Sequence, residues 1–96
     1  MSERAVERSL VKSVKSAGGV CLKWVSPGCV GVPDRIVLLP GGRLVFVEVK
    51  AQGGKVSPQQ RRRLKQLKRL GFDVIVLEGE KGLEAFYKAY LQTEKP

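Results

Sequence analysis

Two acidic residues and one lysine form the most informative pattern in this chain. Asp34 ends the segment GVPD at 31–34, and Glu48 and Lys50 stand two residues apart within an apolar run. Alternate side chains of an extended strand point to the same side, so Glu48 and Lys50 would share a face roughly 6.5–7 Å apart. Two carboxylates can hold a divalent cation, and a cation and an ammonium group stabilise the charge on a phosphate under attack. The pattern therefore predicts metal-dependent hydrolysis of phosphodiester bonds.

The alternative interpretation is that Glu48 and Lys50 form a solvated ion pair on an edge strand. The residues around them are typical of a buried strand: Leu44, Val45, Phe46, Val47 and Val49. Placing two charges within such a run costs free energy unless they have partners or a function. The flanking residues therefore favour a functional site.

The charge of the chain indicates a polyanionic partner. The net charge is +9 over 96 residues, and the acids before residue 72 are Glu3, Glu7, Asp34 and Glu48. A strongly basic surface most often binds nucleic acid. We expect a metal site within a phosphate-binding face, although a basic composition alone also makes acids scarce.

The composition describes an ordinary folded chain, which we expect to be a single domain over 1–96. It is 43% hydrophobic and 28% charged, and no apolar run approaches the ~20 residues of a membrane span. The N-terminus lacks a signal-peptide pattern, so we expect no membrane association and a cytoplasmic location. Cys21 and Cys29 have no zinc-site spacing, and we expect both to be reduced thiols.

Hydrophobic periodicity and turn residues predict the secondary structure. We expect helices over 2–17, 57–70 and 82–91, and strands over 20–25, 34–39, 43–50 and 72–77. The fold class is then α/β, a small mixed β-sheet flanked by helices in the order α-β-β-β-α-β-α. The helix between the last two strands is long enough for a parallel crossover, whereas the preceding hairpin should be antiparallel.

The turn at 40–42 decides whether Asp34 and Glu48 can meet. A two-residue turn would place Asp34 opposite Val49 and Glu48 on the other face of the sheet. A three-residue turn pairs Leu39 with Arg43 and places Asp34 directly opposite Glu48. Gly42 supplies the positive φ that such loops need. We therefore predict the three-residue register, or a bulge that restores its parity.

The helix predicted over 57–70 carries a further polar candidate and a dense basic surface. Ser57 is a predicted N-cap, with Pro58 in the first turn and Gln60 in the position of a capping box. Gln60 also lies on the face that packs on the sheet, where Glu48 would be a suitable partner for its amide. The outer face of this helix is either a solvated surface or a phosphate-contacting one. It carries six basic residues: Arg61, Arg62, Arg63, Lys65, Lys68 and Arg69.

In this order and spacing, the segments 31–34 (GVPD), 47–50 (VEVK) and 57–60 (SPQQ), with a glutamate in the first helix, resemble the VRR-NUC domain family. The resemblance implies a restriction-endonuclease-like core and Mg²⁺- or Mn²⁺-dependent cleavage of DNA. By motif, Asp34 and Glu48 would be metal ligands, Lys50 the catalytic lysine and Gln60 a polar residue of the active site.

The resemblance extends to a third ligand and to the assembly. Glu7 best matches the helical glutamate because it follows Val6, and Glu3 is the alternative one turn earlier. Stand-alone members of the family, often from phages and bacteria, resemble homodimeric nucleases that resolve branched, Holliday-junction-like DNA. The resemblance therefore implies a homodimer that binds branched DNA in a bacterial or phage-infected host cell.

Two other classes of function remain open from the sequence. In the first, the protein is a non-enzymatic nucleic-acid binder in which the acids are structural. In the second, it is an accessory nuclease subunit that cleaves DNA only with a larger partner. Metal-independent binding would indicate the first, and cleavage only after addition of a partner would indicate the second.

Overall fold

A four-stranded mixed sheet forms the centre of the protein in the computed structural model, which describes residues 1–92. The strands are β1 Val20–Lys23, β2 Arg35–Leu39, β3 Arg43–Lys50 and β4 Asp73–Glu78. The helices are α1 Glu3–Ser16, α2 Pro58–Arg69 and α3 Gly79–Phe86, and α3 continues as a π-helical turn over Tyr87–Leu91. The strands lie in the order β1-β2-β3-β4, with β4 parallel to β3 and the other pairs antiparallel. The predicted fold class and element order are confirmed.

Each face of the sheet is covered by different helices. On one face, α1 and α3 pack on the odd-numbered residues of β2 and β3 to form the main core, which includes Val6, Leu10, Val14, Val37, Val45, Val47, Val49 and Phe86. On the other face, α2 packs through Leu64 and Leu67 on Phe46 and Val74. Because strand side chains alternate, Glu48 and Lys50 lie on the α2 face.

Side-chain caps fix the starts of α1 and α2 as the sequence predicts. The Ser2 hydroxyl accepts a hydrogen bond from the Ala5 N–H at 3.1 Å. The Ser57 hydroxyl accepts one from the Gln60 N–H at 3.1 Å, while the Gln60 carbonyl oxygen accepts one from the Ser57 N–H at 3.0 Å. This reciprocal pair is a capping box, so the start of α2 is set by its own first residues.

Two predicted boundaries differ from the structure by two residues or more, and the other differences are of one residue. Strand β1 ends at Lys23 rather than at 25, because the chain turns away after the hydrogen bond from the Trp24 N–H to the Asp34 carbonyl. Helix α3 begins at Gly79 rather than at 82, because the last residue of β4, Glu78, is itself the N-cap residue and no loop intervenes.

The hairpin between β2 and β3 has the predicted three-residue register. Leu39 pairs with Arg43 and Arg35 pairs with Val47, so the next position along places Asp34 opposite Glu48. Gly41 and Gly42 both adopt positive φ, at 84° and 77°, as a turn this short requires. The register therefore brings Asp34 and Glu48 to the same face of the sheet.

The loop before Asp34 rests directly on the start of α2 at Gly31. The φ of Gly31 is +83°, and a Cβ there would lie 2.6 Å from the Gln59 carbonyl oxygen. Only glycine allows this approach of two backbones. The contact fixes the position of the chain shortly before it enters β2 at Asp34.

Within residues 1–92, no helix combines the length and the apolar character that crossing a membrane requires.

We expect Gly31→Ala to destabilise the protein more than Gly28→Ala does. Both glycines have a positive φ, which costs an alanine about 1–2 kcal/mol, but only Gly31 has backbone atoms in the way of a Cβ. Overpacking at that contact should add about 1–3 kcal/mol to the loss in the free energy of unfolding. Urea unfolding of both variants measures the difference, and equal midpoints would contradict the close contact.

Candidate active site

The candidate site is a carboxylate pair on the α2 face of the sheet, at adjacent strands. Asp34 immediately precedes β2 and lies across from Glu48 of β3. The Asp34 side chain also accepts a hydrogen bond from the Val49 N–H at 2.9 Å through Oδ2. This bond ties the carboxylate to the neighbouring strand and sets its orientation.

Glu48 is the one charged side chain in the buried interior of residues 1–92, with 1% of its surface exposed. Its Oε2 atom accepts a hydrogen bond from Gln60 Nε2 at 2.8 Å and forms an ion pair with Lys50 Nζ at 2.9 Å. Its Oε1 atom is buried and accepts no hydrogen bond of good geometry from residues 1–92. Burying an anionic oxygen without a hydrogen-bond donor costs free energy. This side of the carboxylate is therefore available to a group that is not part of residues 1–92.

The electrostatics of the pair reflect this burial. Burial raises the pKa of Glu48, and the neighbouring Asp34 charge adds to the rise, whereas the hydrogen bond with Lys50 opposes it. Burial lowers the pKa of Lys50, but the contact with Glu48 and the charges of Glu3 and Asp34 outweigh it, so that pKa lies above its ordinary value. Lys50 is therefore a cation at neutral pH.

Gln60 connects the helix cap to the site. Its carbonyl oxygen caps α2 at Ser57, and its amide nitrogen donates to Glu48. Both roles considered from the sequence, the capping box and the contact with Glu48, occur together. The start of α2 is thereby fixed against the centre of β3.

The predicted role of Glu7 as a third metal ligand needs correction. The Glu7 carboxylate forms an ion pair with Arg35 Nε at 2.7 Å, on the face of the sheet that α1 covers. It does not join Asp34 and Glu48, which lie on the α2 face. Glu3, the alternative one turn earlier, is the α1 acid whose charge raises the pKa of Lys50. The pattern around Val6 could not reveal this, because it contains no information about Arg35.

The donor set suits a hard divalent cation in chemistry but has few protein ligands. Carboxylate oxygens are the ligands that Mg²⁺ and Mn²⁺ prefer, and Glu48 Oε1 has an unmet need for a positive partner. Within residues 1–92, no three acidic, thiol or imidazole groups gather closely enough to hold a metal ion by themselves. Two carboxylates with water and substrate oxygens are the arrangement that Mg²⁺ often uses.

The basic residues of α2 follow Gln60, the residue of this helix that contacts Glu48. Five of the six are exposed, namely Arg61, Arg62, Lys65, Lys68 and Arg69. A cleft of about 390 Å³ runs along this surface and is lined by Val30, Gln59, Arg62, Arg63, Lys65, Gln66 and Arg69. A row of exposed cations beside a cleft can bind phosphates without reading sequence.

Arg63 differs from its neighbours. Its Nε and Nη2 atoms donate to the Val30 carbonyl at 3.4 and 3.3 Å, and its Nη1 atom donates to Gln66 Oε1 at 2.7 Å. Arg63 thus holds the loop before Asp34 against α2, close to the contact of Gly31 with Gln59. Its place in the run of arginines predicts DNA binding, and nothing in that run distinguishes it from Arg61 or Arg62.

Comparisons with known proteins agree with the geometry. Residues 2–81 match the VRR-NUC domain. A protein named "Putative nuclease p44", from Acyrthosiphon pisum secondary endosymbiont phage 1, is 49% identical over 78 residues, which cover 81% of this chain and 84% of that protein. A solved structure described as a VRR-NUC domain superposes with a TM-score of 0.84 at 26% identity, covering 94% of this chain and 99% of that one.

These matches confirm the resemblance carried by the segments 31–34, 47–50 and 57–60, and two of those segments contribute Asp34, Glu48 and Lys50 to one face of the sheet. The chain belongs to the VRR-NUC domain family.

Proposed function

We propose that this protein is a divalent-metal-dependent DNA endonuclease that hydrolyses phosphodiester bonds. The observation that carries the proposal is the buried Glu48 carboxylate, which has one oxygen fixed by Gln60 and Lys50 and the other without a well-formed hydrogen bond from residues 1–92. Membership of the VRR-NUC family and the phage relative with nuclease in its name support nuclease activity. The net charge of +9 supports DNA as the substrate.

In this proposal Asp34 and Glu48 hold Mg²⁺ or Mn²⁺. Glu3 is the acid of α1 whose charge acts on Lys50. When bound, such an ion would supply positive charge at the phosphate and make a water molecule easier to deprotonate. The chain itself contributes orientation. The Val49 N–H fixes Asp34, and Gln60 fixes Glu48, so neither carboxylate has to reorganise when the substrate arrives.

Lys50 serves as a cation rather than as a base in this scheme. Hydrolysis adds a water oxygen to phosphorus and releases one ester oxygen, and negative charge accumulates on the phosphate between these events. An ammonium group on the same strand face as Glu48 positions the water and stabilises that charge. Gln60 holds Glu48 and is a positioning residue.

The preferred substrate and the assembly follow from family resemblance. We propose branched, Holliday-junction-like DNA as the substrate and a homodimer as the active form, because two-fold symmetry suits paired cuts. A second copy could bind at strands β1 and β2. Three apolar residues are exposed there, namely Val20, Leu22 and Leu38. Sedimentation at working concentration should give a dimer, and a monomer that still cuts both strands would contradict this assembly.

One experiment decides between the three classes of function. Purified protein is incubated with branched, flapped, single-stranded and duplex DNA in Mg²⁺, in Mn²⁺ and in EDTA. Cleavage in either metal and none in EDTA supports the endonuclease. Binding without cleavage in every condition favours the DNA binder, and cleavage that needs an added partner favours the accessory subunit.

Replacing either carboxylate should abolish most of the cleavage while the protein stays folded. We expect Asp34→Asn and Glu48→Gln each to lower the metal-dependent rate by about 100-fold or more, because each removes an anionic ligand without changing the shape of the side chain. Glu84→Gln, the same change at an exposed position of α3, is the control and should have no effect. Cleavage at the wild-type rate by either site variant would contradict the assignment.

Removing Lys50 should slow turnover far more than it weakens DNA binding. We expect Lys50→Ala to lower kcat by about 100-fold, since it removes one cation aimed at the developing charge. Lys55→Ala, at an exposed position before α2, is the matched control and should leave kcat nearly unchanged. Single-turnover cleavage and binding in EDTA separate rate from affinity, and equal losses in both would make Lys50 a simple phosphate contact.

The arginines of α2 should divide into two kinds. Arg61→Gln and Arg62→Gln should flatten the dependence of log K on log salt concentration by up to about one unit per lost phosphate contact. Arg63→Gln should leave that slope closer to the wild-type value, since its guanidinium is already bound to Val30 and Gln66. Binding measured at several salt concentrations tests this, and equal slopes for all three variants would show that Arg63 also binds phosphate.

A further inference from the structure

We propose that Trp24 stacks on an unpaired nucleobase of the DNA strand whose phosphate lies at the carboxylate pair. The inference rests on the proposed function, because it names the substrate class of the same site. It assigns DNA with unpaired nucleotides beside the cut, such as a flap or the centre of a branch.

The register of the sheet places Trp24 in line with the two carboxylates. Lys23 pairs with Arg35, so Trp24 is opposite Asp34, and the Trp24 N–H donates to the Asp34 carbonyl at 3.0 Å. Asp34 is in turn opposite Glu48. Neighbouring strands lie about 4.8 Å apart, and directly opposed residues share a face, so the three side chains form a row across the α2 face.

The distances in this row suit one nucleotide. A base is joined to its phosphate through a single sugar, so it reaches a residue one or two strand spacings away. With a phosphate at Asp34 and Glu48, the adjacent base extends either towards β4 or towards Trp24 at the β1 edge. On the β4 side the next residue in the row is Val76, which offers no aromatic surface.

The indole ring is held as a stacking partner should be. It packs against Phe46 with ring centroids 5.2 Å apart and an interplanar angle of 33°, and Phe46 is itself braced edge-on by Phe72. Phe46 is 7% exposed, whereas Trp24 keeps part of its surface accessible. A ring fixed from below by a buried neighbour loses little freedom when a base stacks on it.

The loop that leads from Trp24 to Asp34 carries exposed apolar residues and reaches the basic cleft. Val25 is 71% exposed and Val30 is 68% exposed, and Val30 also lines the basic cleft beside Arg62 and Lys65. Aromatic surface next to a cationic groove is the arrangement with which proteins bind single-stranded nucleic acid. Bases within a duplex stack on each other and cannot occupy such a site, so the row selects strands with unpaired bases.

Trp24 is the one tryptophan in the chain, so tryptophan fluorescence reports on this residue alone. Its emission is followed in EDTA during titration with a thymidine oligonucleotide and with an abasic oligonucleotide of the same length and charge. We expect clear quenching by the thymidine strand and little by the abasic strand, with binding of each confirmed by anisotropy of a labelled DNA. Binding of both strands with unchanged Trp24 emission would overturn the proposal.

Variants give a second measurement. Trp24→Leu should weaken binding of the thymidine strand by about 5- to 150-fold and leave the abasic strand unaffected, while Trp24→Phe keeps most of the affinity. Phe72→Leu, which alters the other aromatic contact of Phe46, is the matched control and should affect neither strand. Equal weakening of both strands by Trp24→Leu and Phe72→Leu would mean that Trp24 only supports the core.

The titration is independent of catalysis. Quenching by a protein that never cleaves DNA would support the base site and contradict the endonuclease. Cleavage by a protein whose Trp24 emission does not respond to bound DNA would support the endonuclease and overturn the base site. Where Trp24→Leu does not fold, the wild-type titration and Trp24→Phe carry the test.

Discussion

The parity of one short turn determines whether this protein has a site at all. Strand side chains alternate between two faces, and the three residues 40–42 set the pairing that brings Asp34 across from Glu48. One residue more or less would move every side chain of β2 to the opposite face. The same shift would expose Val37 and Leu39, which now lie in the main core. The free energy of packing the core therefore maintains the pairing of β2 with β3, and this pairing also places Asp34 opposite Glu48.

The same arrangement makes the centre of β3 expensive to fold. Glu48 lies among buried valines, and one of its oxygens accepts no well-formed hydrogen bond from residues 1–92, so Lys50 and Gln60 compensate its charge only in part. An apolar residue of similar size would pack there at lower cost. Proteins commonly retain such unfavourable groups where activity requires them. The cost lies on β3, one of the two strands with neighbours on both sides, where hydrogen bonds to β2 and β4 hold the backbone in place.

Local signals were sufficient to predict much of this structure. The Ser57–Gln60 capping box, the turn at 40–42 and the period of Val6, Leu10 and Val14 each depend on residues close in sequence, and each was predicted correctly. The carboxylate pair followed from them through the alternation of strand side chains.

Contacts between distant segments could not be predicted in the same way. The ion pair of Glu7 with Arg35 joins α1 to β2, and the bonds from Arg63 to Val30 join α2 to a loop. A helical pattern shows which face a residue occupies but not which partner stands opposite it. The assignments of Glu7 and Arg63 therefore followed motif and charge, without the contacts that the structure shows for Glu7 with Arg35 and for Arg63 with Val30.

Gln60 gives an ordinary folding rule an unusual consequence. Glutamate and glutamine normally serve equally well at the third position of a capping box, because either can accept the backbone N–H with an oxygen. Here that oxygen is committed to Ser57, and the other end of the side chain faces Glu48 at 2.8 Å. A glutamate would still cap the helix but would turn a second anion towards a carboxylate already short of donors. At this one position, two residues that cap a helix equally well would have opposite effects on the neighbouring carboxylate.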